Sequence, residues 1–114
     1  VTRREVARIL AAILRDESQR MESASRLAVQ AARGSLAADP ATFREAAERH
    51  AGRALAVSAA LAGNPDRAAL LTIRRRKLDE AAELRRIGAP ELRPTIRGLR
   101  QEVRALELAA KGGP

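Results

Sequence analysis

Residues 33–47 read RGSLAADPATFREAA, and this stretch decides the architecture. Gly34 is a natural left-handed stop for a helix arriving from the N-terminal side. Asp39 followed by Pro40 is a start: a short acidic side chain caps free amides, and a ring of fixed φ suits the first turn. The same stop-and-start pattern recurs on both sides. Upstream, Thr2 and Glu5 have the spacing of a capping box, with Val1 and Val6 placed as a hydrophobic staple. Downstream, Gly63 precedes Asn64-Pro65, Gly88 precedes Ala89-Pro90, and the last residues are KGGP. Four helices are therefore predicted at about 3–33, 40–62, 65–87 and 90–111. Short connections between them imply antiparallel neighbours, so the expected fold is all-α: one domain over 1–114, an antiparallel up-down-up-down four-helix bundle. Pro94 would bend a helix that began at Pro90. The first helix is about two turns longer than the others, and its Val6, Ile9, Leu10 and Ile13 need cover from a source the pattern does not name.

Composition narrows the function classes. The 114 residues give room for one core, 46% of them are apolar, and Phe43 is the only aromatic side chain among Phe, Tyr and Trp. The absence of cysteine removes disulfides, thiolate metal sites and a thiol nucleophile. No apolar run is long enough to span a bilayer and no leader pattern opens the chain, so a soluble protein without membrane contact is expected, as a monomer. A net charge of +8 favours anionic partners without choosing among them.

The uniform punctuation at Thr2/Glu5, Asp39-Pro40, Asn64-Pro65, Ala89-Pro90, Gly34, Gly63 and Gly88 resembles that of de novo designed single-chain four-helix bundles. The resemblance spans the whole chain and is one of style, carried by no family motif. It implies a core built to hold a cofactor or small molecule.

Helical spacing turns particular residues inward. On the first helix these are Leu10, Glu17, Ala24 and Ala31, flanked by Ile13, Arg20, Leu27, Met21 and Ala28. The second helix offers Phe43, Ala47, His50, Ala54, Val57 and Leu61. The third offers Leu71, Arg74, Leu78, Ala81 and Ile87, and the fourth Leu92, Ile96, Leu99, Val103 and Leu106. Two features break the aliphatic pattern. Glu17, His50 and Arg74 are ionisable groups on inward positions, where such groups are rare unless paired or bound. Ala24, Ala28, Ala46, Ala47, Ala81 and Gly98 also fall near one layer, which Leu27, Leu78 and Leu99 would hold open. An empty leucine-sized gap costs about 2–5 kcal/mol, so several together call for either close helix approach or a ligand.

The constellation points to a metalloporphyrin, most simply haem, ligated axially by His50. Ala47 and Ala54 lie at the spacings that must stay small beside such a ring, and Ala24 and Ala81 leave room for its edges. Gly98 and Leu99 would cover the opposite face without supplying a second ligand, and Arg20, Arg53 and Arg74 would meet propionates. A five-coordinate iron of that kind suits peroxidase-like or carbene-transfer chemistry. The alternative is a polar drug-like molecule anchored by Glu17, Arg74 and His50, and Glu17 and Arg74 are otherwise expected to pair with each other. The competing bland reading of His50 is a structural histidine satisfied by its neighbours.

Nucleic acid is disfavoured. RRRK at 74–77 with Arg85 and Arg86 would meet phosphates, but stacking aromatics are missing and the charges alternate as on a solvated face. Lys77, flanked by charges, is expected at the surface. No E-x-x-H or H-E-x-x-H motif is present, and Ser58 lies two turns from His50. Ser23 and Ser25 have no spacing that commits them to hydrolysis.

Overall fold

The computed structural model describes residues 2–63 and 66–112. Its helices are α1 (Arg3–Ala32), α2 (Pro40–Leu61), α3 (Arg67–Ile87) and α4 (Arg93–Ala110), the last preceded by a 3₁₀ turn at Pro90–Leu92. No strand is present among the described residues. Val1, Asn64 and Pro65, which carry part of the predicted staple and the third helix start, lie outside the described residues, as do Gly113 and Pro114.

The caps explain the boundaries. Thr2 and Glu5 form the reciprocal capping box, with Thr2 Oγ1 accepting from the Glu5 amide at 3.1 Å and Glu5 Oε2 from the Thr2 amide at 3.2 Å. Asp39 Oδ1 caps α2 at the Ala41 amide, and Asp66 Oδ1 caps α3 at the Ala69 amide, so α3 begins two residues later than predicted. Gly88 ends α3 at φ +74, a conformation that strains any residue with a Cβ. Pro94 falls in the first turn of α4, because the 3₁₀ turn absorbs the residues from Pro90 onward; there its missing amide hydrogen breaks no helical bond.

The topology is two antiparallel hairpins. Glu17 on α1 meets Arg53 on α2, while Leu27, later on α1, shares a groove with Phe43, earlier on α2. Arg74 on α3 likewise meets Glu107, and Lys77, further along, meets Glu102. Across the hairpins, Arg49 and Arg53 of α2 face Arg76 and Thr72 of α3.

Val6, Leu10 and Ile13 of α1 join Ala56, Val57, Leu70, Ile73, Leu106 and Ala109 in one aliphatic cluster drawn from all four helices. That cluster supplies the cover the long first helix needs, with Leu106 and Ala109 of α4 beside its first turns. Beyond it the bundle opens. The molecule measures 48 × 36 × 20 Å, and its second dimension is about twice what two helix axes 8–10 Å apart span. Its surface of 7545 Å² exceeds the roughly 6,100 Å² of a folded monomer of this mass.

Two inward faces differ from expectation. On α3 the buried stripe is Leu70, Ile73, Lys77 and Ala81, whereas Leu71 and Leu78 are half-exposed and Ile87 is 62% exposed. Each of the two stripes carries one cation that meets a carboxylate; the stripe turned in is that of Lys77, which meets Glu17 and Glu102, while Arg74 meets Glu107 nearer the surface. On α2 only Ala56 and Val57 are buried; Phe43, Ala47, His50 and Ala54 are partly exposed, and Leu61 is exposed. This helix packs chiefly on α1, so it needs only a narrow covered face. In the alanine layer Ala24, Ala28 and Ala81 are buried, while a Cβ at Gly98 would meet nothing within 4 Å, so space is left beside α4 there. Methyl-sized side chains let the two helices of a hairpin approach closely.

Candidate functional site

At the open edge of the aliphatic cluster, six ionisable side chains from all four helices converge. Glu17 on α1 is fully buried. His50, one turn beyond Ala46 and Ala47 on α2, donates from Nδ1 to Glu17 Oε2 at 2.5 Å. Arg53, on the next turn of α2, reaches Glu17 Oε1 at 3.6 Å. Lys77 Nζ from α3 lies 3.5 Å from the same oxygen and 3.3 Å from Glu102 Oε2 of α4, with Asp16 at 4.0 Å.

Charge explains the protonation states. Burial pushes the Glu17 carboxyl up, but the hydrogen bond from His50 and the charges of Lys77 and Arg53 together hold it below the ordinary glutamate value. Glu102 goes the other way: burial raises it, Lys77 only partly offsets this, and nearby Asp16 adds to the rise. Glu17 Oε1, Lys77 Nζ and Glu102 Oε2 are buried without a well-aligned hydrogen bond, so charge attraction alone links them.

Several expectations change here. Arg74 does not pair with Glu17; its Nε donates to Glu107 Oε1 at 2.7 Å within the α3–α4 hairpin. Lys77 is 1% exposed rather than at the surface. Its burial also breaks up the basic run at 74–77, since Arg74 is occupied and only Arg75 and Arg76 stay exposed. Arg86 pairs with Glu83 at 3.0 Å.

His50 opens onto a groove of about 480 Å³ between α1 and α2. Ala24, Leu27, Phe43 and Ala46 form its apolar wall, and Asp16, Gln19, Arg20 and Ser23 its polar rim. Arg20 also meets Asp16 at 3.3 Å and Glu80 at 3.9 Å. Of the residues expected around a ring, Arg20 and Ala24 therefore share the groove with His50. Ala47 and Ala54 stay on α2 outside its lining, Arg53 turns to Glu17, and Ala81, Gly98 and Leu99 belong to the other hairpin. With Nδ1 committed to Glu17, the ring atom left for a ligand is Nε2. A buried carboxylate on one imidazole nitrogen fixes the tautomer and orients the ring, an arrangement that suits a metal ligand or a hydrogen-bond acceptor.

Among the described residues no group of three or more His, Cys, Asp or Glu side chains is placed to hold a bare metal ion, and no helix is long and apolar enough to cross a membrane. Comparisons with protein-family models, with curated proteins and with solved structures return no match.

Proposed function

We propose that the chain is a ligand-binding helical bundle whose α1–α2 groove takes a metalloporphyrin such as haem, with His50 Nε2 as the axial ligand. The observation that carries this reading is the Glu17–His50 bond at 2.5 Å, a buried carboxylate holding the only histidine at the mouth of a partly apolar groove. The ring would stand in the groove against Leu27, Phe43 and Ala46, one edge exposed, with Arg20 at the rim to meet a propionate. This places the ligand beside the core rather than within it. When bound, the group would supply an iron with one open position; the chain's own part is to orient His50, shield one face and neutralise an acid. The side-chain caps at the starts of α1, α2 and α3 support reading the chain as a designed bundle of this type.

Titration of haem into the protein tests the proposal. One equivalent should give a saturable Soret band, and His50→Ala should remove it while the helical circular dichroism persists. Glu17→Gln should keep the band and weaken binding by about 10–100-fold, the usual cost of losing a carboxylate behind a ligating imidazole. An unchanged spectrum in His50→Ala, or no band in the parent, would overturn it.

The polar rim of Asp16, Gln19, Arg20 and Ser23 favours a second reading, a metal-free polar molecule hydrogen-bonded to His50 Nε2. Such a ligand would raise the melting temperature in a His50-dependent way without any Soret band.

A further inference from the structure

A different groove, of about 240 Å³, lies on the seam between α2 and α3. Arg49 and Arg53 line it from α2 and Arg76 from α3, and no carboxylate joins them. Arg53 already leans on Glu17 at 3.6 Å, but among the described residues neither Arg49 nor Arg76 has a carboxylate within ion-pair distance. Three guanidinium groups from two helices thus line one opening.

Gly52 is an independent sign. It sits inside α2, where glycine costs about 1 kcal/mol relative to alanine, in a helix that uses alanine at most other small positions. Its backbone is ordinary helix, not the left-handed region, and a Cβ built on it would meet nothing within 4 Å. Neither backbone conformation nor packing within the chain requires glycine there. Its effect is to let something approach the α2 backbone between Arg49 and Arg53.

We propose that this groove binds the phosphate group of a small phosphorylated molecule. A phosphate dianion offers several acceptor oxygens to converging guanidinium forks, and Arg is suited to such multidentate pairing. The groove's volume falls below the ~300–1,000 Å³ of drug-sized pockets, so it suits a phosphate with a small organic remainder. Thr72 Oγ1 donates to the Ala68 carbonyl at 2.9 Å, which leaves recognition to the arginines. Ala69, partly exposed on the groove wall, gives the organic remainder an apolar contact.

Calorimetric titration with inorganic phosphate and with phenyl phosphate, at about 150 mM NaCl where diffuse attraction is largely screened, tests the site. One-site binding is expected for both, tighter for phenyl phosphate through its contact with Ala69. Arg49→Gln and Arg76→Gln should each weaken binding about tenfold, equivalent to about 1.4 kcal/mol. Gly52→Leu should abolish binding while the helical signal is kept or strengthened. Arg26→Gln, at an exposed position on α1, should leave binding unchanged. Equal weakening by Arg26→Gln, survival of binding in Gly52→Leu, or the absence of saturable binding in the parent would overturn the proposal.

Discussion

The two ends of this bundle are built from different materials. At one end Ile13, Val57, Leu70, Ile73 and Leu106, one or more from each helix, are at most 1% exposed and hold the hairpins together. At the other end the buried residues are mainly alanines, Ala24, Ala28, Ala31 and Ala81, with Leu99 beside them, while Val29, Leu78 and Ile87 stay substantially exposed. Large side chains reach across a four-helix core and tie hairpin to hairpin. Alanine lets two helices touch but buries little area, at about 25 cal/mol per Å², so each hairpin closes on itself and the pair diverges. The charged cluster around Lys77 stands where one regime gives way to the other, and the ionic contacts between the hairpins, Asp16–Lys77, Glu17–Lys77 and Arg20–Glu80, lie on it.

The boundary should be the most sensitive place. Lys77→Ala leaves Glu17 and Glu102 facing each other without their shared cation, and a loss of about 3–5 kcal/mol in denaturant unfolding is expected. A loss under about 1 kcal/mol would mean the cluster is open to water and the two ends are one continuous core. Next comes the contrast between the ends themselves. Ile73→Ala should cost about 2–5 kcal/mol, near the top of that range, and Leu99→Ala near its foot because its surroundings can collapse. Similar costs at both positions would break the comparison. A smaller effect tests the alanine end from the opposite side: Ala81→Leu should destabilise by about 1–3 kcal/mol through overpacking, and a gain in melting temperature would instead reveal unfilled space.

The smallest expected effect is in pH dependence. Because the Glu17 carboxyl is held below its unfolded value, its contribution is present above the unfolded pKa and lost as pH falls through the folded one. The Glu102 carboxyl is raised, so its contribution is present below the unfolded pKa and lost as pH rises through the folded one. Mild acidification from neutrality should therefore first relieve Glu102 and then, at lower pH, cost Glu17. Glu102→Gln should remove the first limb and leave the second, as followed by melting temperature against pH.

How much of this was legible depends on whether the cause is local. Caps and stops at Thr2, Asp39 and Gly88 act within one turn, and the helices follow them closely. The inward face of α1 was also readable, since Leu10, Glu17, Ala24 and Ala31 form a single unambiguous stripe. On α3 periodicity alone does not choose between a face centred on Arg74 and one centred on Lys77. That choice depends on Glu17 and Glu102, far away in sequence, so the burial of Lys77 and the pairing of Arg74 with Glu107 were beyond a helix-by-helix reading. His50 and Glu17 were both recognisable as inward ionisable groups; their partnership needed the rotation of α1 against α2. The α2–α3 groove did leave a local signal, a glycine between Arg49 and Arg53 in an alanine-rich helix, which the reading of α2 passed over.

Phe43 and His50 are the only side chains in this sequence that carry an aromatic ring, and both line the α1–α2 groove. The downfield carbon-bound proton resonances of the folded chain therefore come from that groove alone. With no tryptophan or tyrosine to absorb near 280 nm, the protein is almost transparent where most cofactors and aromatic drugs are coloured or emissive. Any occupant can be followed against a dark background, from its own spectrum and from two ring systems that have no others to be confused with.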